Sequence, residues 1–207
     1  MEKTTDVLII GGGPAGMVSA MTAKKYYPSK KILVMKDIDQ GVIPCGIPYM
    51  FASLKDPQEN AAGTASLEKN QIDVVVDKAL KIERQKKLVQ TQKGDTYFYE
   101  KLVLATGSDP VILPIPGIDK KGVYAIYKEM GYLKDVIHQI KQAKKVLVIG
   151  GGFIGVEFAD ELSKLPGISV SIVEMLPHLL ANSFDEEFSK MAEDRLREKG
   201  VDVLINT

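Results

Sequence analysis

Short, mainly apolar runs recur along the chain, separated by segments long enough to be helices. The run DVLII at residues 6–10 has no polar alternation and ends in glycines, as a strand buried on both faces of a parallel sheet does. A helix is predicted over residues 13–26, where Ala15, Val18, Ala20 and Ala23 are small enough to lie close to a sheet. Residues 32–35 form the second strand and complete a βαβ unit of about thirty residues. Residues 73–76 read as another short strand. Alternating segments at 79–83, 87–92 and 96–99, with Gly94-Asp95 as a turn signal, predict a small antiparallel meander. The run at 101–105 returns to a buried strand ending at Thr106-Gly107.

Prolines at 110, 114 and 116 and Gly117 then suggest a domain boundary. A helix is predicted at 128–142, and the opening pattern repeats. Strand 146–149, a glycine turn, helix 153–165 and strand 169–173 form a second βαβ unit. Helix 185–198 and strand 202–205 follow. The expected fold class is α/β with two Rossmann-like dinucleotide-binding units, the first carrying the inserted antiparallel β-meander. The expected domains are 1–117 and 118–207.

The chemistry lies in the two turns. Gly11, Gly13 and Gly16 fit G-x-G-x-x-G, with Pro14 and Ala15 inside the turn; Gly150, Gly152 and Gly155 fit it again, with Phe153 and Ile154 inside. The first glycine permits the tight turn. The second lets backbone N–H groups approach a pyrophosphate, and the third lets helix and strand pack. The phosphate then meets the positive end of the helix dipole. Either copy alone fits a plain turn; two copies, each between a strand and a helix, point to two dinucleotides.

An acid at the end of the second strand accepts hydrogen bonds from a ribose. Glu174 holds that place in the second unit, and its charge repels a 2′-phosphate, which favours NAD(H); a solvated surface glutamate is the alternative. The first unit has Lys36 there, and Asp37 is the nearest acid. Either Asp37 substitutes or the ribose is held differently.

Composition narrows the partners. Lys+Arg and Asp+Glu both number 27, so no net field favours nucleic acid or an anionic membrane. No apolar run approaches the roughly 18 residues of a membrane span, and no signal-peptide pattern opens the chain. The expected location is the cytoplasm. Cys45 is the one cysteine and cannot form an internal disulfide. Pro48 predicts a short helix beginning just after it, which would favour a thiolate. A buried structural cysteine is the other reading. His138 and His178 stand alone in sequence and suggest no metal site or triad.

With these motifs in view, the chain resembles the pyridine nucleotide–disulfide oxidoreductases. VLIIGGGPAGMVSA at 7–20 is similar to their FAD-binding start, LVLATGS at 102–108 to the motif where the chain leaves the FAD domain, and VLVIGGGFIGVEFA at 146–159 to their NAD-binding unit. PCGIPY at 44–49 resembles the single-cysteine branch of NADH oxidases and peroxidases, coenzyme A disulfide reductases and sulfur or persulfide reductases.

The resemblance implies FAD and NAD(H) as cofactors, with Pro44, Ala105, Thr106 and Gly107 joining the FAD site. Cys45 would be the redox thiol, forming a mixed disulfide, persulfide or sulfenic acid. Electrons would pass from NADH through flavin to a small disulfide, a sulfur species, oxygen or peroxide. Phe153 would lie over the flavin and Glu157 near the nicotinamide amide; an ordinary helix aromatic and a solvated helix residue are the alternatives. Tyr49 could bond near the thiol or simply pack. Relatives continue beyond this point to complete the NAD domain and add a dimerisation domain. The expectation is therefore half of a family member, a homodimer in its parent form or completed by another chain, with low or no activity alone. A dinucleotide-binding fragment without activity and a ferredoxin or rubredoxin reductase are the competing functions.

Overall fold

A computed structural model describes residues 1–207. They form two compact units. One comprises residues 1–43, 61–113 and 125–130; the other comprises 44–60, 114–124 and 131–207.

The first unit is built on a six-stranded sheet. Its strands are β1 (Glu2–Ile10), β2 (Ile32–Lys36), β3 (Asp73–Val76), β4 (Ala79–Glu83), β5 (Leu88–Thr91) and β6 (Thr96–Leu104), in the spatial order β3-β2-β1-β6-β5-β4. β3, β2, β1 and β6 are parallel, and β6, β5 and β4 are antiparallel. Helix α1 (Pro14–Tyr26) makes the β1–β2 crossover, and the short α2 (Ala65–Lys69) precedes β3. The order reverses beside β1, which places the end of that strand at a topological switch point.

Alternation along β1 and β2 explains the packing. Leu8, Ile10, Leu33 and Met35 face one way, against Val89 and Tyr97 of the antiparallel strands. Ile9, Ile32 and Val34 face the other way, toward Ala20 of α1 and Leu67 of α2. Full burial of each such aliphatic side chain contributes roughly 1.5–3 kcal/mol relative to exposure.

The meander differs from its expected form in one respect. Residues 96–104 are one strand, not two. β6 pairs β1 in parallel from Glu2↔Thr96 to Ile10↔Leu104, while its first half also pairs β5, Leu88 opposite Phe98. Glu100 separates the two expected segments, 96–99 and 101–105, but the ladder to β1 runs on either side of it, through Thr5↔Tyr99 and Val7↔Lys101.

The second unit contains three parallel strands, β7 (Lys145–Ile149), β8 (Ser169–Glu174) and β9 (Asp202–Ile205), in the order β7-β8-β9. Helices α4 (Phe153–Ser163) and α5 (Glu186–Glu198) connect them, and α3 (Met130–Gln142) precedes them. Burial is one-sided. Ile172 is fully buried, whereas Leu147 and Ile149 are about half exposed, at 55% and 52%.

Residues 44–60 belong to this second unit. They form 3₁₀ turns at Pro44–Gly46, Pro48–Phe51 and Pro57–Asn60. The helix expected just after Cys45 is therefore replaced by two short turns, and Cys45 lies within the first. Pro48 fixes the start of the second turn as expected, but Ala52 leaves helical geometry and ends it after four residues.

Candidate dinucleotide and thiol sites

Both glycine turns have the same construction. β1 ends at Gly11, whose φ of +117° only glycine adopts readily. A Cβ there would stand 1.9 Å from the Ala105 carbonyl oxygen. A Cβ on Gly16 would stand 1.9 Å from the Gly11 carbonyl oxygen, and one on Gly155 the same distance from that of Gly150. Gly13 and Gly152 are different. Each is the residue before its helix, each has an ordinary negative φ, and each faces open space where a side chain would be.

Neither α1 nor α4 has a side-chain cap at its start. The first N–H groups of each helix are left for an anion to accept. The two cradles thus fit a pyrophosphate at Gly13-Pro14-Ala15-Gly16 and at Gly152-Phe153-Ile154-Gly155. At the first, Ala105 is bound to β1 through its N–H and the Ile10 carbonyl at 2.8 Å. Thr106 and Gly107 follow it at the exposed strand end.

The positions at the end of each second strand correspond closely. Glu174 closes β8, and its Oε2 accepts the Gly151 N–H at 2.6 Å while Oε1 accepts the Leu176 N–H at 2.8 Å. The Leu180 N–H in turn donates to the Gly151 carbonyl at 2.8 Å. The acid and the loop after it are therefore fastened to the glycine turn. In the first unit Lys36 packs against Gly12 as Glu174 does against Gly151. Its ammonium turns away to the Asp39 carbonyl at 2.7 Å, and Asp37 is exposed one residue beyond the strand.

Phe153 is 54% exposed and makes an edge contact with Phe184, ring centres 5.7 Å apart, so it is not a core aromatic. Glu157 is exposed on α4. His178 is not isolated in space: its Nδ1 lies 3.1 Å from Glu193 Oε1. His138 pairs with Gln142 on the same helix at 2.7 Å. No group of His, Cys, Asp and Glu side chains has the arrangement of a metal site. No helix is long and apolar enough to cross a membrane.

Cys45 is exposed, which removes the buried structural reading. Pro44 opens its turn, closed by the Ile47 N–H to the Pro44 carbonyl at 3.2 Å. Tyr49 is 45% exposed. One residue not anticipated from sequence emerges beside this segment. Glu161 on α4 is only 3% exposed, and its Oε2 accepts the Ser53 N–H at 3.0 Å. Its Oε1 meets the Lys164 ammonium at 2.5 Å and raises the lysine's pKa above its usual value. The signal was a charge set between Phe158 and Leu162 on the apolar stripe of α4.

Two uncapped strand–turn–helix cradles define a dinucleotide-binding α/β protein. The family model for pyridine nucleotide-disulphide oxidoreductases matches residues 5–207, and the chain belongs to that family. The family's cofactors are FAD and NAD(H). The chain is 31% identical to an NADH oxidase from Methanocaldococcus jannaschii over 96% of its own length and 46% of the relative's. It spans about half the length of the curated relatives that it matches along most of its length. Among solved structures, a ferredoxin reductase from Rhodopseudomonas palustris superimposes with a TM-score of 0.88 at 25% identity, covering 99% of this chain and 50% of that one. An NAD-dependent persulfide reductase from A. fulgidus gives 0.85 at 29% identity, covering 100% and 40%.

Proposed function

We propose that this chain is the dinucleotide-binding portion of an NADH-dependent flavoprotein reductase that acts on a small disulfide or persulfide, or on oxygen or peroxide. The observation that carries this reading is the pair of open, uncapped glycine cradles in a member of this family. We assign FAD to the domain at 1–117, at Gly11, Gly13, Pro14, Ala15, Gly16, Lys36, Asp37, Pro44, Ala105, Thr106 and Gly107. NAD(H) is assigned to 118–207, at Gly150, Gly152, Phe153, Ile154, Gly155, Glu157 and Glu174.

When bound, NADH supplies a hydride and FAD relays its electron pair to the acceptor. The protein's own residues bind, orient and accept. The free N–H groups at the starts of α1 and α4 take the pyrophosphates. Glu174, already directed by two backbone N–H groups, has lone pairs left for a ribose and disfavours a 2′-phosphate. Cys45, exposed and without a second cysteine to pair with, is the thiol on which an acceptor's sulfur is held. Overall, NADH, a proton and a disulfide give NAD⁺ and two thiols. The names of similar proteins support this acceptor class: an NADH oxidase, and a coenzyme A polysulfide/persulfide reductase from Pyrococcus horikoshii.

The similarity to a ferredoxin reductase supports a second reading, transfer to an electron carrier without a thiol. Replacing Cys45 with Ser separates the two: disulfide-dependent NADH oxidation is lost under the first, and carrier reduction survives under the second. For the 207-residue chain itself, the visible flavin band of the purified protein is recorded before and after anaerobic NADH. Stoichiometric bleaching would refute the expected inactivity.

A further inference from the structure

The segment that carries Cys45 is packed as a body on α4, the same helix that opens on the second glycine cradle. Phe51, 2% exposed, meets Phe158 edge to face with ring centres 5.0 Å apart. Three residues along α4, on the same face, Glu161 takes the Ser53 N–H, and the Lys164 ammonium reaches the Ser53 hydroxyl at 3.1 Å. From α3, Lys134 holds Gln58 at 2.9 Å.

Between these anchors and Cys45 the chain has no slack. The Leu54 N–H donates to Tyr49, that of Met50 to Ile47, and that of Ile47 to Pro44. Gly46, next to the cysteine, is packed so tightly on Asn60 that a Cβ would stand 1.9 Å from its side-chain oxygen. Asn60 in turn donates to the Met50 sulfur at 3.1 Å.

A buried carboxylate on an apolar helix stripe is costly unless its partners need it. Leucine would pack there at lower cost. What leucine could not do is satisfy the Ser53 N–H, which lies in an irregular turn without a strand or helix neighbour to accept it. We infer that Glu161 is a positioning residue for Cys45, fixing the thiol-bearing turns to the helix that carries the second dinucleotide cradle. This rests on the reading of Cys45 as the redox thiol. It gives Glu161 a role that neither glycine motif nor the cysteine itself reveals. Glu161 lies about 13 Å along the helix from Gly152, at 1.5 Å per residue, so the carboxylate acts on the thiol segment and not on the dinucleotide.

The single cysteine makes a direct test possible. A nitroxide attached to Cys45 through a methanethiosulfonate reagent reports the mobility of this turn by its electron spin resonance line shape. The native chain should show a predominantly immobilised spectrum. Glu161→Leu, which leaves the Ser53 N–H without an acceptor, should raise the ratio of mobile to immobile component about tenfold. Glu161→Gln keeps an acceptor oxygen and should restore the native line shape. A Glu161→Leu protein that is folded, melts earlier and yet gives the native line shape would overturn the inference, because the carboxylate would then be merely structural. Hydrogen exchange of the native protein serves if that variant does not fold. The Ser53 amide should be protected to the degree of α4 amides, and exchange at the rate of an open loop defeats the inference. Neither measurement depends on turnover, so loss of the redox reading through Cys45→Ser and loss of this one remain separate results.

Discussion

At the scale of single residues, the three glycines of a dinucleotide turn have different jobs, and the structure separates them. A Cβ on Gly155 would overlap the Gly150 carbonyl oxygen, a backbone atom that cannot swing aside. Gly155→Ala should therefore destabilise the fold by about 3 kcal/mol. Gly152 has a φ of −75° and open space before it, so alanine fits the free protein. Gly152→Ala should cost no more than about 1 kcal/mol as a poorer helix cap. If the space is a pyrophosphate seat, it should also lower NADH affinity at least about tenfold, through displacement of a phosphate from the helix N–H groups. Urea unfolding and NADH fluorescence titration of the two variants check this pair. Equal loss of affinity at equal stability would show that the open space is not a pyrophosphate seat. The same scale shows where reading the sequence was sufficient. The turn and packing roles of Gly11, Gly16 and Gly155 were legible from spacing alone, because that need is local backbone geometry. Glu161 was not, because its partner Ser53 is 108 residues away in sequence and no period encodes such a contact.

At the scale of elements, periodicity located most strands and helices, and its failures have physical causes. The segments 96–99 and 101–105 read as separate strands with Glu100 between them, but strand β1 supplies a ladder on both sides of that residue, from Glu2↔Thr96 to Ile10↔Leu104. The short helix expected just after Cys45 is a 3₁₀ turn of four residues; proline sets a favourable first turn but does not supply the following residues with helical partners. Strand β7 carries Val146 and Val148 on one face and Leu147 and Ile149 on the other; the first pair is half-buried and the second exposed. That difference is measurable. Ile172→Ala, at a fully buried site on the central strand, should cost about 2–5 kcal/mol. Leu147→Ala, on the neighbouring strand's open face, should change stability by no more than roughly 0.5 kcal/mol. Comparable shifts in the denaturant midpoint of the two variants would mean that the open face is covered in solution.

For the molecule as a whole, charge is balanced, and pH acts through particular pairs. The amino terminus is drawn into one of them. Asp95, in the β5–β6 turn, accepts Lys3 at 2.5 Å and the Met1 ammonium at 2.9 Å. Lys3, then the terminus, holds the Asp95 carboxyl below its ordinary pKa. Asp95, then Tyr97, pushes Lys3 up to about 12. A carboxyl whose pKa is lower folded than unfolded adds stability that is complete above its ordinary 3.8 and is lost as pH falls through the folded value. A lysine whose pKa is raised adds stability that is complete below 10.5 and is lost as pH climbs through about 12. Asp95→Asn removes both contributions together. The melting temperature of the variant should lie below that of the native chain across the neutral range. The gap should close at both ends, below the ordinary carboxyl range and again toward pH 12. Asp6, lowered by the Lys31 N–H and by Lys30, still destabilises both proteins in acid, so the difference between the two curves is the quantity to follow. High salt should flatten that difference, since the pair is exposed to screening. A gap of constant size from acid to alkali would mean that Asp95 stabilises its turn by shape alone, through the hydrogen bonds its backbone and Thr91 exchange, and that its charge contributes nothing.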